Sequence, residues 1–306
     1  MPLKILFMGT PHFAAPILKS ILKSNHKILA VYTQPPKKKS RGQKFIETPI
    51  HSIANNLNLK VRCPENLLDI KEFNFIKNLA PDVAVVAAYG QIIPKNILDI
   101  SNITFINIHA SLLPKWRGAA PIQRSIMQMD KETGISIMKI IPRLDAGPYM
   151  MQEKIKIEHN TNSGKLSEQL SLIGSRLIIK SLNLIETKKV KFVEQNEKEA
   201  TYARKIQKKE CQTQWSLPAT KIIAKINGLS PSPGAWFEHQ KNRLKIIKAE
   251  VSNLNGGIGE VIDNNLTIGC SENSIKVLQI QKAGKKILST NEFLSGYNIK
   301  KGEKLS

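Results

Sequence analysis

Lys4-Ile5-Leu6-Phe7-Met8-Gly9-Thr10-Pro11 sets the pattern of the chain. An apolar run stops at a Gly-Thr-Pro turn and gives way to a stretch with Ala14, Ile17, Leu18, Ile21 and Leu22 at helical spacing. An unbroken apolar strand has no solvent face, so it belongs in a parallel sheet covered by helices on both sides. The pattern recurs outward from this start. Lys27 to Thr33, Val83 to Ala88 and Thr104 to Ile108 read as further strands, each bounded by turn residues and separated by helix-like segments. The reading is an α/β chain with a Rossmann-like, mostly parallel sheet. Such sheets bind ligands at the carboxyl ends of their strands, near a switch in strand order.

From Gly134 the texture changes. Ile135 to Ile141 and Tyr149 to Ile157 read as strands around a Pro142–Pro148 loop, followed by a long helix with Leu166, Leu170, Ile173, Leu177 and Leu184 on one side. Lys188 to Glu199 is charged and irregular, as a linker would be. Beyond it lie short β-like runs (Leu244–Ala249, Leu266–Ile268, Ile275–Ile280) punctuated by Gly-Gly and Asn-Asn. These predict a small second domain, a β-barrel or a sandwich. The expected division is residues 1–188, a linker over 189–206, and a second domain over 207–306.

The 306 residues carry 46 Lys/Arg against 24 Asp/Glu, a formal net charge of +22. That excludes an acidic solvating protein and makes a polyanion, above all nucleic acid, a natural partner. Only eight of the 46 are Arg, and Ile and Asn are abundant, so part of the surplus reflects compositional drift. Cys63, Cys211 and Cys270 are far apart and show no metal-ligand spacing, which fits reduced thiols in a cytoplasmic protein. The apolar start meets Gly9 too soon for a signal-peptide core, and no run approaches the roughly 20 residues of a membrane span.

The chemistry concentrates in Thr104-Phe105-Ile106-Asn107-Ile108-His109. Side chains alternate along a strand, so Asn107 and His109 share a face, roughly 7 Å apart, at the strand's carboxyl end. An amide and an imidazole there supply an oxyanion donor and a proton-transfer group. A structural histidine beside a capping asparagine gives the same pattern. Asp145, in Pro142-Arg143-Leu144-Asp145-Ala146-Gly147-Pro148, could reach the same strand ends and orient His109, or could simply initiate a turn. The Gln34–Lys44 loop is either a solvated charge run or a phosphate-contacting arm. Without Gly-x-Gly-x-x-Gly, a Walker loop or His-Glu-x-x-His, neither a dinucleotide nor a catalytic metal is indicated.

Asn107-Ile108-His109-Ala110-Ser111-Leu112-Leu113-Pro114-Lys115-Trp116-Arg117-Gly118-Ala119-Ala120-Pro121-Ile122-Gln123-Arg124 resembles the signature of the methionyl-tRNA formyltransferase family. The likeness continues in Phe7–Pro11, Val86–Gly90, Leu144–Gly147, Thr201–Ala203, Trp215-Ser216 and Ala283–Lys286, and so spans nearly the whole chain. It implies transfer of a formyl group from 10-formyltetrahydrofolate to the α-amino group of methionyl-initiator tRNA, with no metal. Residues 1–188 would be the Rossmann-like formyltransferase catalytic domain and 207–306 a small C-terminal tRNA-binding β-barrel of OB-like type. The family's catalytic Asn, His and Asp fall on Asn107, His109 and Asp145. Its folate contacts fall on Tyr89, Gly90, Gln91, Ile92, Ser111, Leu112, Leu113 and Pro114. Its acceptor-stem loop falls on Gln34–Lys44, with Lys37, Lys38, Lys39, Arg41 and Lys44 as tRNA contacts. Residues 207–306 hold fifteen Lys/Arg against eight Asp/Glu, and Lys205, Lys208, Lys209, Lys245, Lys285 and Lys286 join the expected tRNA contacts. His12 stands where some relatives carry an acidic residue. The expected protein is a cytoplasmic monomer.

Three other readings share features with this one. A formyltransferase acting on glycinamide ribonucleotide or an amino-sugar nucleotide would use Asn107, His109 and Asp145 without needing the basic insert. A hydrolase releasing formate from formyltetrahydrofolate would use the same three. A catalytically silent RNA-binding protein would need only the charge, and its function would survive their mutation.

Overall fold

A computed structural model of the chain describes residues 1–39 and 44–305; Arg41 lies outside them. The chain divides into two compact units. The first takes in Met1–Gly118, Thr133–Ile155 and Ser167–Tyr202, the second Ala119–Glu132, Lys156–Leu166 and the chain from Ala203 on. The segment read as a linker therefore divides between them, with Val193 to Thr201 belonging to the first unit.

The strands in chain order begin with Lys4–Gly9 (β1), Lys27–Tyr32 (β2), Lys37–Lys39 (β3), Lys44–Ile46 (β4) and Val61–Arg62 (β5). Val83–Ala87 (β6), Thr104–His109 (β7), Arg117–Gly118 (β8), Glu132–Lys139 (β9) and Tyr149–Lys156 (β10) follow. The helices among them are Ala14–Leu22 (α1), Pro49–Asn56 (α2), Ile70–Leu79 (α3), Lys95–Leu98 (α4), Pro121–Met127 (α5) and Ser163–Glu186 (α6). Seven strands form one sheet in the order β10-β9-β7-β6-β1-β2-β5. β5, β2, β1, β6 and β7 are parallel, and β9 runs antiparallel to β7.

Ile5, Leu6, Phe7 and Met8 of β1 and Val83, Ala84 and Val85 of β6 are fully buried, as strands covered on both faces must be. Burying each large apolar side chain is worth about 1.5–3 kcal/mol. The chain leaves β1 toward β2 and β5, then returns on the other side to β6 and β7. The order therefore switches between β1 and β6, where Gly9 sits beside Ala87. There the Thr10 hydroxyl donates to the Tyr89 carbonyl at 2.7 Å, tying the two loops together. On the next strand Asn107 lies beside Val86. Helix α6 covers β7 so closely that a Cβ on Gly174 would come within 3.0 Å of Ile108.

After Tyr202–Ala203 (β11), the second unit contains Ala219–Leu229 (α7), Ala235–His239 (β12), Asn242–Ser252 (β13), Thr267–Gly269 (β14), Ser274–Lys282 (β15), Leu288–Ser289 (β16) and Thr290–Leu294 (α8). β12, β13, β15 and β14 pair in that order, all antiparallel, with β16 also on β15. This antiparallel half-barrel packs on α7 around a core that includes Trp215, Ile222, Ile226, Phe237, Ile246, Ile268 and Ile280.

Within this unit α5 meets α7 at Gly228, where a Cβ would lie 2.5 Å from Met127 Cγ and 3.0 Å from the Gln123 carbonyl oxygen. Glycine in a helix interior ordinarily costs about 1 kcal/mol relative to alanine. Here the close approach outweighs that gain. Gly228→Ala is expected to lower the melting temperature in a thermal scan, and a raised melting temperature would contradict this packing.

Candidate active site

β7 delivers Asn107 and His109 to one face at the carboxyl end of the sheet. His109 is buried, and its Nε2 lies 2.9 Å from the carbonyl oxygen of Trp116. A carbonyl can only accept, so Nε2 carries the hydrogen. In the neutral ring the lone pair is then on Nδ1, which faces Asp145 Oδ2 at 3.7 Å. That spacing is too long for a hydrogen bond, and close enough for charge attraction once the ring carries a second proton. The same Asp145 oxygen accepts from the Gly118 backbone N–H at 2.8 Å. Asn107 is half-buried, and among the described residues its amide has no hydrogen-bond partner. The sheet thus brings the three expected catalytic residues to one end of β7, with Asp145 reaching in from its loop.

The loops holding these groups are strained. Ala88, Trp116 and Asp145 have φ values of 49°, 61° and 45°, a left-handed region that residues with a Cβ seldom adopt. Each such residue costs of order 1–3 kcal/mol and persists only where its surroundings over-determine it. Gly147 closes the Asp145 loop where any Cβ would collide with the Lys139 carbonyl.

The residues expected to hold folate line the same end of the sheet. Tyr89 is buried, its phenol held protonated by that burial and donating to Gln91 Oε1 at 3.2 Å. Gln91 in turn donates to the Pro64 carbonyl at 2.9 Å. Gln34 donates to the carbonyls of Tyr89 and Gly90, while Ile92 is 89% exposed. Ser111 is fully buried, with its hydroxyl on the Lys115 carbonyl at 2.6 Å. It shapes the loop from within and offers no free hydroxyl. The Leu113 N–H donates to Ser136 Oγ and its carbonyl accepts from Gln152, so the Ser111–Pro114 turn is fixed on both sides.

Of the expected tRNA contacts, Lys37 opens the β3–β4 hairpin and donates to Gln34 Oε1 at 2.8 Å, next to the Tyr89–Gly90 loop. Lys38, Lys39 and Lys44 are hairpin residues, and Arg41 lies outside the described residues. In the second unit Lys205, Lys208, Lys209, Lys285 and Lys286 are exposed, and Lys245 is half-buried on β13. Among the described residues no cluster of three or more His, Cys, Asp or Glu could hold a metal ion, and no helix is long and apolar enough to cross a membrane.

Sequence reasoning missed a second layer. Arg117 is fully buried, donates through Nε to Gln195 Oε1 at 3.0 Å, and grips Glu197 with both terminal nitrogens at 2.9 and 3.1 Å. Gln195 Nε2 reaches the carbonyls of Asp145 at 2.8 Å and Gly147 at 2.6 Å. These partners are about eighty and fifty positions apart, a separation that local spacing cannot read.

Residues 3–182 match the family model described as formyl transferase, and residues 205–298 match its C-terminal domain. A methionyl-tRNA formyltransferase of Pelagibacter ubique (strain HTCC1062) is 51% identical over 308 residues, spanning 100% of this chain and 99% of the relative. One from Chelativorans sp. (strain BNC1) is 40% identical over 311 residues, covering both chains fully. The solved structure of an N-formyltransferase from Helicobacter canadensis, in complex with folinic acid and dTDP-3-aminofucose, superposes with a TM-score of 0.65 at 20% identity. It covers 92% of this chain and 100% of that one, and shows a shared fold.

The Arg117–Glu197 pair makes a pH-dependent contribution. The Arg117 hydrogen bond, with help from Arg143, holds the Glu197 carboxyl well below its ordinary value, at about 2. A depressed carboxylate stabilises the fold fully above its unfolded value, near 4.3, and the contribution disappears as pH falls through the folded one. The difference in melting temperature between wild type and Glu197→Gln should hold steady above about pH 4.5 and shrink toward zero near pH 2. A difference independent of pH would contradict the pairing.

Proposed function

The chain belongs to the methionyl-tRNA formyltransferase family, and from that premise we propose that it formylates the α-amino group of methionyl-initiator tRNA, with 10-formyltetrahydrofolate as donor substrate. The observation that carries the reading is the convergence of Asn107, His109 and Asp145 at the carboxyl end of β7, beside the switch in strand order.

The amine nitrogen attacks the formyl carbon, and negative charge develops on the formyl oxygen. Asn107, whose amide has no other hydrogen bond among the described residues, donates to that oxygen. The bond from the formyl carbon to N10 breaks as the carbonyl re-forms, and the proton removed from the amine passes to N10, so that tetrahydrofolate leaves neutral. The attacking nitrogen is cationic once its bond to carbon has formed and must lose a proton, and His109 Nδ1 carries the lone pair that the Trp116 carbonyl leaves free to take it. Protonated, that ring faces the Asp145 carboxylate, which steadies its charge. The donor carbonyl is already activated by its N10 leaving group, so the mechanism calls for no Lewis acid.

Loops 89–92 and 111–114 hold the pterin, with backbone groups for recognition and Ile92 and Leu112 for apolar contact. Lys37, Lys38, Lys39, Arg41 and Lys44 engage the acceptor stem. Lys205, Lys208, Lys209, Lys245, Lys285 and Lys286 add phosphate contacts that carry no sequence information. The first domain is the catalytic one and the second binds tRNA. The protein acts as a cytoplasmic monomer.

Asn107→Ala, His109→Ala and Asp145→Ala are each expected to lose roughly two orders of magnitude or more in kcat/KM while remaining folded. A near-normal His109→Ala enzyme would sink the assignment. A single-turnover assay comparing initiator Met-tRNA, elongator Met-tRNA, glycinamide ribonucleotide and an amino-sugar nucleotide tests the acceptor. Rapid formylation of the initiator alone is the expected result, and preference for either nucleotide would move the enzyme to another branch of the family.

A further inference from the structure

Residues Val193 to Thr201 lie across the two loops that carry the strained residues Trp116 and Asp145, all within the first unit. One end is anchored on Tyr149, whose N–H donates to the Val193 carbonyl at 3.0 Å while the Val193 N–H returns to the Tyr149 carbonyl at 2.8 Å. At the other end the Thr201 hydroxyl accepts from the Trp116 N–H at 2.9 Å, and the Thr201 carbonyl accepts from the Arg117 N–H at 2.8 Å. Between the anchors sits Gln195, only 8% exposed.

The chemistry of Gln195 admits one orientation. The Arg117 guanidinium has no acceptor, so Gln195 must turn its carbonyl oxygen toward Arg117 Nε. Its two N–H groups are then both aimed at the carbonyls of Asp145 and Gly147. Arg117 is itself fixed by its two-pronged bond to Glu197. The Asp145 backbone, in a conformation it would not adopt by preference, is thus held by a side chain that a buried arginine has already oriented. On the other loop, Thr201 grips the peptides on both sides of the Trp116 Cα: its hydroxyl takes the Trp116 N–H, and its carbonyl takes the Arg117 N–H of the peptide whose carbonyl accepts the His109 Nε2 hydrogen.

We propose that the Val193–Thr201 segment is a positioning strap for the formyl-transfer residues, with Gln195 fixing Asp145 and Thr201 fixing His109 through Trp116. The inference rests on Asp145 and His109 being the reacting pair. Neither strap residue touches substrate; both act through the groups they hold.

Gln195→Glu is the sharpest probe because it keeps shape and the bond to Arg117 while setting a carboxylate oxygen against two carbonyl oxygens. Its kcat should fall roughly 10- to 100-fold, with KM for both substrates within about 3-fold, because misplacing a catalytic group by a fraction of an ångström affects the reaction step more than binding. Thr201→Val, at an exposed position, should lower kcat by roughly 3- to 10-fold with KM similarly unchanged. Added to Asp145→Asn, Gln195→Glu should cost less than about 3-fold further, because residues that act through one another are not additive.

A full multiplicative loss in that double variant, or wild-type kcat in Gln195→Glu, would overturn the strap. Should Gln195→Glu fail to fold, wild-type kcat in Thr201→Val would overturn it. Wild-type activity in Asp145→Asn alone would instead overturn the catalytic assignment, so the two failures are distinguishable.

Discussion

One hydrogen bond constrains the whole site: His109 Nε2–H to the carbonyl of Trp116. It fixes which ring nitrogen is free to take the proton in the proposed reaction. That bond requires Trp116 to turn its carbonyl inward, which it does in a left-handed conformation. The adjoining Gly118 N–H then becomes the partner of Asp145. Asp145 is left-handed as well, so two unfavourable backbone conformations bracket one imidazole. The Gln195 amide, oriented by the buried Arg117 that Glu197 grips, holds the Asp145 loop from about fifty positions away, and Thr201 holds the Trp116 loop.

The sheet explains why the site lies where it does. Chain order reverses between β1 and β6, and the loops after Gly9 and Ala87 diverge there before Thr10 ties them together. Asn107 and His109 are on the neighbouring strand, and His109 is paired with Ser136 of the antiparallel β9. Ser136 in turn fixes the Ser111–Pro114 turn. The basic residues form a separate system: Lys37 is tied by Gln34 to the Tyr89–Gly90 loop, while the second unit displays its own exposed lysines.

The fold was legible because its strands are buried on both faces, so their apolar runs are unbroken and their turns sharp. Asn107 and His109 were legible because alternation on a strand fixes their shared face. The texture after residue 207 pointed to a β-rich second unit, and the structure draws it as an antiparallel half-barrel packed on α7. Arg117, Gln195 and Glu197 were not legible. Val193 to Thr201 is polar and irregular, and its residues matter through partners about fifty and eighty positions away. Ser111 read as a folate contact, yet its hydroxyl is committed inside its own turn. A lysine-rich composition also hides phosphate contacts among residues that owe their charge to drift.

The proposed chemistry turns on where a single proton sits, and the nitrogen NMR spectrum of the His109 ring reports on it. In the neutral enzyme the expected spectrum is that of the tautomer with hydrogen on Nε2 and a lone pair on Nδ1. A neutral ring carrying its hydrogen on Nδ1 would contradict it, since the free lone pair would then face Trp116 and no acceptor would face Asp145.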